Sequence, residues 1–245
     1  MAKPSKKLSR KDLKQPDEFQ TKGERALEHL HENRNKYFLV IIAIIAVAGL
    51  VSGANAFWTY RQGKISKHYA NAMEAYTAPV VAMGEKDKPE GLSFPSDETK
   101  YMEALRRFGE ISSSYSSSSY GELSVFYAGN CHFKLKRYDK AAEAYAKFID
   151  EAGSSMESIV FLAHNNMAQS LEMKGELDKA YAEYQILIDE DAELWKEQAY
   201  FFQAYILEKQ EKKEDAVKKL EKLLEEYPET SLKAKAEKRL MVLKG

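Results

Sequence analysis

The sequence predicts an all-α chain: a single N-terminal transmembrane helix, then a solenoid of helical hairpins, then a C-terminal capping helix. Three observations carry this. Residues Tyr37 to Tyr60 form a run of 24 consecutive uncharged residues, YFLVIIAIIAVAGLVSGANAFWTY. Strict period-two alternation never persists, so no convincing strand pattern arises. A small residue followed four positions later by an aromatic or Leu recurs as Ala104/Phe108, Ala141/Tyr145, Ala180/Tyr184 and Ala216/Leu220, at periods of 37, 39 and 36 residues. A two-helix unit of this length cannot bury its apolar face alone and must stack on its neighbours.

Residues 1–15 are rich in Lys and Arg with almost no large apolar side chain, and are expected to be a disordered basic cytoplasmic tail. Residues 16–36 are expected to form an amphipathic juxtamembrane helix. Pro16-Asp17-Glu18 suits a helix start, and Phe19, Gly23, Ala26, Leu27 and Leu30 share one face. Such a helix either lies on the inner membrane surface, docks a cytoplasmic partner, or continues as a stem into the span.

The span itself is residues 37–60. Roughly 20 apolar residues at about 1.5 Å each cover the hydrocarbon core, and only a helix satisfies its own backbone there. Tyr37 and Phe38 at one end, and Phe57, Trp58 and Tyr60 at the other, sit where amphipathic rings favour the headgroup boundary. Gly49 and Gly53, flanked by Ala46 and Ala56, put small residues on one face and are the candidates for close helix packing, compatible with a homo-oligomer. Ala54-Asn55-Ala56 has the A-x-A form of a signal-peptide cleavage site, but the 36 residues ahead of the run are too long and too acidic for an ordinary leader, so an uncleaved anchor is expected.

Residues 1–36 hold 10 Lys+Arg and 6 Asp+Glu, whereas the chain after residue 60 holds 27 Lys+Arg and 32 Asp+Glu, a net of −5. The positive-inside rule then puts the N-terminus in the cytoplasm and the acidic remainder outside it. An acidic outer domain argues against a nucleic-acid partner. With Cys131 as the single cysteine, no intrachain disulfide can form.

Residues 61–245 divide into units near 61–115, 120–152, 158–191 and 196–228, with a cap at 230–243. In the first, Ile65, Tyr69, Met73 and Tyr76 recur at helical spacing, and Gly84 to Pro95 is expected to be a surface loop. The serine-rich Ser112 to Tyr120 run should hold the turn into the second unit. Leu232, Ala236, Leu240 and Leu243 make the final helix amphipathic.

Residue by residue, this region resembles the tetratricopeptide repeat (TPR) family. The second unit has Gly129-Asn130, Tyr138-Asp139, Ala141 and Tyr145. The third has Ala168, Leu171, Gly175-Glu176-Leu177-Asp178, Ala180 and Tyr184, and the fourth Tyr200, Ala204, Leu207, Ala216, Leu220 and Pro228. Val125, His164 and Tyr200 stand where the family has Trp, and Glu211-Lys212 where its turn usually has Gly. The layout is further similar to the YfgM-like family of ancillary SecYEG translocon subunits, through Asp17-Glu18-Phe19 and Glu32-Asn33-Arg34 ahead of one span and an acidic repeat domain.

What the resemblance implies is a non-enzymatic interaction module of a bacterial inner membrane, with its C-terminal domain in the periplasm. It acts as an adaptor or chaperone-like subunit whose partners are SecYEG, periplasmic chaperones or exported chains. The alternative is a structural scaffold of an envelope or cell-division assembly, held through Gly49 and Gly53 and the outside of the superhelix. In this family the first helix of each hairpin lines the concave face. The implied peptide-groove residues are Phe126, Asn130, Phe133, Asn165, Gln169, Phe201 and Tyr205. Of the family's carboxylate-clamp positions only Asn130 and Asn166 match, while Phe126, Gln198 and Phe202 replace its basic residues, so no preference for a free C-terminus is expected.

Catalysis finds little support. Cys131 and His132 are helix neighbours and do not face each other. His132 and His164 fall at positions that point into the core, His29 and His31 lie on different faces, and no metal-ligand spacing or phosphate-binding glycine pattern occurs. No catalytic residue, cofactor or metal is expected.

Overall fold

The computed structural model describes residues 18–81, 90–190 and 193–245, without the side chains of residues 18–21 and 193–194. The expectations for the 1–15 tail, for Pro16-Asp17, for the Phe19 side chain and for the first part of the Gly84 to Pro95 loop lie outside the described residues. The chain divides into two units, Met1–Arg61 and Gln62–Gly245.

The first unit holds α1 (Glu18–Glu32) and the apolar part of α2 (Arg34–Thr77). Only Asn33 separates the two helices. Its N–H donates to the His29 carbonyl at 3.1 Å, and its own carbonyl accepts from the Tyr37 N–H at 3.1 Å. By length and composition α2 can cross a bilayer. Within residues 37–60 its large side chains, among them Leu39, Ile45 and Leu50, are exposed, and a Cβ built on Gly49 or Gly53 would meet nothing within 4 Å.

The second unit takes up the rest of α2, then α3 (Asp97–Ser114), α4 (Ser119–Lys134), α5 (Tyr138–Glu151), α6 (Glu157–Lys174), α7 (Leu177–Asp189), α8 (Glu193–Lys209), α9 (Lys213–Glu226) and α10 (Lys233–Lys244). Among the described residues there is no strand, only an isolated bridge between Val80 and Phe94 where the first long loop returns. Helix starts follow local chemistry. Ser96 caps α3 through its side chain, with Thr99 completing a capping box and Asp97 and Glu98 against the positive end of the dipole. Ser118 caps α4 by accepting from the Gly121 N–H at 3.1 Å.

The repeated pairs form the hairpin cores. Ala104, Ala141, Ala180 and Ala216 are fully buried, as are Phe108, Tyr184 and Leu220, while Tyr145 is 1% exposed. Small residues let two helices approach, and the large residue one turn on fills the gap beside them; each such side chain contributes about 1.5–3 kcal/mol by leaving water. Between α4 and α5 the approach is close at Gly129, where a Cβ would come within 2.7 Å of the Tyr145 ring. The C-terminal part of α2 supplies the first helix of the first hairpin. Ile65, Ala72 and Ala75 are buried, and the Tyr69 and Tyr76 rings pack on Phe108 of α3.

Within the second, third and fourth hairpins the turn is the same. Lys136, Gly175 and Glu211 have φ of 59°, 82° and 63°. Each donates its N–H three residues back, to Phe133, Glu172 and Glu208, while the next residue donates five back, from Arg137 to His132, Glu176 to Leu171 and Lys212 to Leu207. That pair of bonds closes the Schellman end of a helix, so Glu211-Lys212 makes the family's turn without its glycine. At the other end of the solenoid Ala236 is buried, and Leu232, Leu240 and Leu243 pack on the α8–α9 core. The join is held by Thr230, whose hydroxyl donates to Glu197 and accepts from the Leu232 N–H.

Candidate peptide-binding face

Among the described residues α4 touches α6 and α6 touches α8, each contact skipping the helix between. First helices that meet directly, with their second helices outside them, form the inner layer of a curved stack. Asn130 and Phe133 on α4 and Gln169 on α6 reach one open cavity of about 170 Å³ in this layer. Lys134, Asn166, Tyr145 and Tyr76 complete its wall.

A hydrogen-bond relay organises the cavity. Asn165 Nδ2 donates to Asn166 Oδ1 at 3.2 Å, and Asn166 Nδ2 donates to Asn130 Oδ1 at 3.1 Å. The Tyr145 hydroxyl donates to the same Asn130 oxygen at 2.7 Å. Burial raises the pKa of both cavity tyrosines, that of Tyr76 to about 12, so both keep their protons at any physiological pH.

The seven groove residues expected from the sequence do not form one surface. Phe126 is 4% exposed, its ring 5.5 Å from Phe148 and 5.8 Å from Tyr145, so it belongs to the core and is corrected from ligand contact to packing. Asn165 is 5% exposed and its Oδ1 has no partner; it is corrected likewise, because its neighbour Asn166 is the residue that reaches the cavity. Phe201 packs edge-on to Phe202 at 5.8 Å and against the α8–α9 core. The Tyr205 ring is covered by cations, with Lys209 4.8 Å and Arg239 5.2 Å from its centroid. Those cations are held in turn, Lys209 by Glu172 at 2.8 Å and Arg239 by Glu208 at 2.6 Å. Asn130, Phe133 and Gln169 therefore come together, while Phe201 and Tyr205 sit apart from them.

Lys134, Tyr76 and Tyr145 were not among the residues expected to line the groove. Lys134 carried a signal, since it stands four residues after Asn130 and so on the same helix face. Cys131 and His132, adjacent on α4, do not make a nucleophile and base pair. Cys131 is fully buried, and burial pushes its thiol up to about 12, far from a reactive thiolate. His132 has a buried Nδ1 with no hydrogen-bond partner among the described residues, and burial lowers its pKa. His164 does find a partner, the Glu183 carboxylate at 2.7 Å. Among the described residues no three His, Cys, Asp or Glu side chains are placed to hold a metal ion.

Comparison with known proteins agrees with this architecture. The family model described as Tetratricopeptide repeat matches residues 124–155 and 198–230, the second and fourth hairpins. Two solved structures are similar in fold. Both are crystal structures of a Podosopora anserina putative kinesin light chain with nearly identical TPR-like repeats, one of them carrying a single substitution. The substituted form has a TM-score of 0.54 and 9% identity, and the match covers 74% of this chain and 84% of that one. The other has a TM-score of 0.53 and 9% identity, over 74% and 85%. No curated protein matches the chain. Repeats of this kind are generally non-catalytic interaction modules, and no enzymatic family is indicated. The chain carries tetratricopeptide repeats, and its second unit is an all-helical solenoid of that type.

Proposed function

We propose that this protein is a membrane-anchored adaptor that holds extended protein segments on the inner face of its repeat solenoid. The N-terminus is cytoplasmic and the repeat unit lies in the periplasm of a bacterial inner membrane, next to the Sec translocon. There it receives exported chains or recruits periplasmic chaperones. The observation that carries the binding role is the cavity between α4 and α6, where a connected amide network stands beside the Phe133 ring. A peptide held that way has apolar anchorage with a few hydrogen bonds for register. The uncharged 37–60 run and the charge asymmetry around it support the anchor and its orientation. The translocon assignment is supported by the similarity of layout, from Asp17-Glu18-Phe19 through the span to an acidic repeat domain.

A photo-activatable residue placed at Phe133 of the full chain, in intact cells, tests this reading. Adducts with channel subunits, chaperones or exported chains are expected, with none from the exposed Lys147 on the outer helix α5 as control. Adducts only with division or outer-membrane assembly proteins would overturn the translocon role. Equal labelling from both positions would overturn the inner face as the binding surface.

A further inference from the structure

The apolar face of α1 continues into the span in a single register. On α1, Gly23, Ala26 and Leu30 recur in steps of three and four between charged residues. The backbone ladder runs on through Asn33, which donates to His29 and accepts from Tyr37. The same steps then lead through Tyr37, Val40, Ile44, Val47 and Val51. A repeat of about 3.5 residues is the seam of a left-handed pair of helices. The span is apolar all round, so α1, where charges discriminate between faces, sets this register. Glu24, Glu28 and Glu32 take outward positions of the same repeat. Shape picks out the same row independently. An open groove of about 610 Å³ runs along one side of the span, lined by Val40, Ile44, Val47 and Val51 with Ala43 and Ala48 beside them. All six are exposed. At about 100° per residue, Gly49 and Gly53 face the opposite side of the helix.

We infer that this groove takes the same groove of a second copy of the chain, packed parallel to the first in the membrane. The inference rests on the membrane-anchored reading above. Tyr37 and Phe38 at one end and Phe57, Trp58 and Tyr60 at the other set the depth of each span, so two parallel copies meet with their seams already aligned. Val and Ile side chains are stiff at χ1 and lose little freedom when they interdigitate, and the flanking alanines leave room for the partner's side chains. In lipid no hydrophobic effect draws helices together, so packing of this kind is the favourable term. A second copy also brings a matching α1, which covers the row from Gly23 to Leu30. The acidic stripes of the two copies then face outward, and no carboxylates meet across the seam.

Disulfide trapping in membranes from cells making the full chain tests this, with one cysteine at a time placed in the span. The native Cys131 is fully buried and does not compete. Oxidation of Val40→Cys and Val47→Cys should give a linked dimer on non-reducing gels, whereas Gly49→Cys and Gly53→Cys should give none. Ala43→Phe, added to Val47→Cys, fills the groove and should abolish the dimer, while Gly53→Ala in the same background should leave it. Linked dimer only from the Gly49 and Gly53 positions, or equally from all four, would overturn the seam. No dimer from any position would overturn the second copy as its occupant. Alkaline carbonate extraction of the same membranes keeps the two readings apart. A chain retained without dimer leaves the anchor standing, and a chain released sinks the anchor and this inference with it.

Discussion

Asn166 donates its side-chain amide to Asn130 at 3.1 Å across 36 residues of sequence, joining the first helices of two successive hairpins. Tyr145, from the second helix of the earlier hairpin, donates to the same oxygen. One amide thus ties three helices together at the wall of the candidate site.

Removing that amide should cost more than removing either donor. Asn130→Ala strands the Tyr145 hydroxyl, on a residue that is 1% exposed, whereas Tyr145→Phe leaves Asn130 with its bond from Asn166. The expected losses are about 1–3 kcal/mol for Asn130→Ala and nearer 1 for Tyr145→Phe. Urea unfolding of both single variants and the double variant, followed by helical circular dichroism, checks this through the coupling between them. Strictly additive losses would show that the pair does not interact.

Glycine substitutions separate close packing from mere helix propensity. A Cβ on Gly121 would lie 2.0 Å from the Tyr115 carbonyl oxygen, and one on Gly129 would strike the Tyr145 ring, whose hydroxyl is already engaged. Gly109, inside α3, would meet nothing within 4 Å. Gly129→Ala should therefore destabilise by about 1–3 kcal/mol and Gly121→Ala by at least as much. Gly109→Ala should stabilise by roughly 0.5–1 kcal/mol through helix propensity alone. A shared sign for Gly109→Ala and Gly129→Ala in thermal unfolding would count against the packing account.

These glycines also show what a single sequence makes legible. Ala104/Phe108 and its three repeats mark the hairpin cores because close backbone approach admits only small residues, and that constraint recurs with the period of the fold. Inner-face residues obey no such rule. Phe126 and Tyr127 are neighbours a quarter-turn or so apart on α4, and only the packing of α5 decides that Phe126 is buried under Tyr145 and Phe148. Asn165 and Asn166 pose the same ambiguity, resolved by the bond to Asn130. Tyr76 reaches the cavity from α2, the first helix of the preceding hairpin, a neighbourhood set by stacking between units and not by spacing within one.

The three Schellman turns differ in strain. Gly175 adopts its φ of 82° freely, but Lys136 and Glu211 carry a Cβ at φ of 59° and 63°. A left-handed L-residue costs about 1–2 kcal/mol, partly offset by the chain entropy a glycine loses on folding. Lys136→Gly and Glu211→Gly should each stabilise by up to about 1 kcal/mol, and Gly175→Ala should destabilise by a similar amount. Differential scanning calorimetry of the three variants decides it; destabilisation by both new glycines would mean that the side chains contribute more than the turn costs.

His132 should make the repeat unit acid-sensitive. Burial disfavours its charged form, and Arg137 and Lys140 push the same way against a smaller opposite pull from Glu143. Its folded pKa lies below the ordinary value of about 6.5, so as pH falls through that value the unfolded chain takes up a proton that the folded chain resists. The stabilising effect is present in full above about pH 6.5 and is lost progressively as pH drops toward the folded pKa. The carboxylate of Glu103, held near 2 by its hydrogen bonds to Arg106 and Arg107, titrates well below this window. Replacing His132 by Leu removes the titration and also the unpartnered Nδ1. Wild type should lose melting temperature between about pH 7 and pH 5, while His132→Leu should lose visibly less. Parallel melting curves across that interval would show that the ring is hydrated and protonates as easily in the folded chain as in the unfolded one.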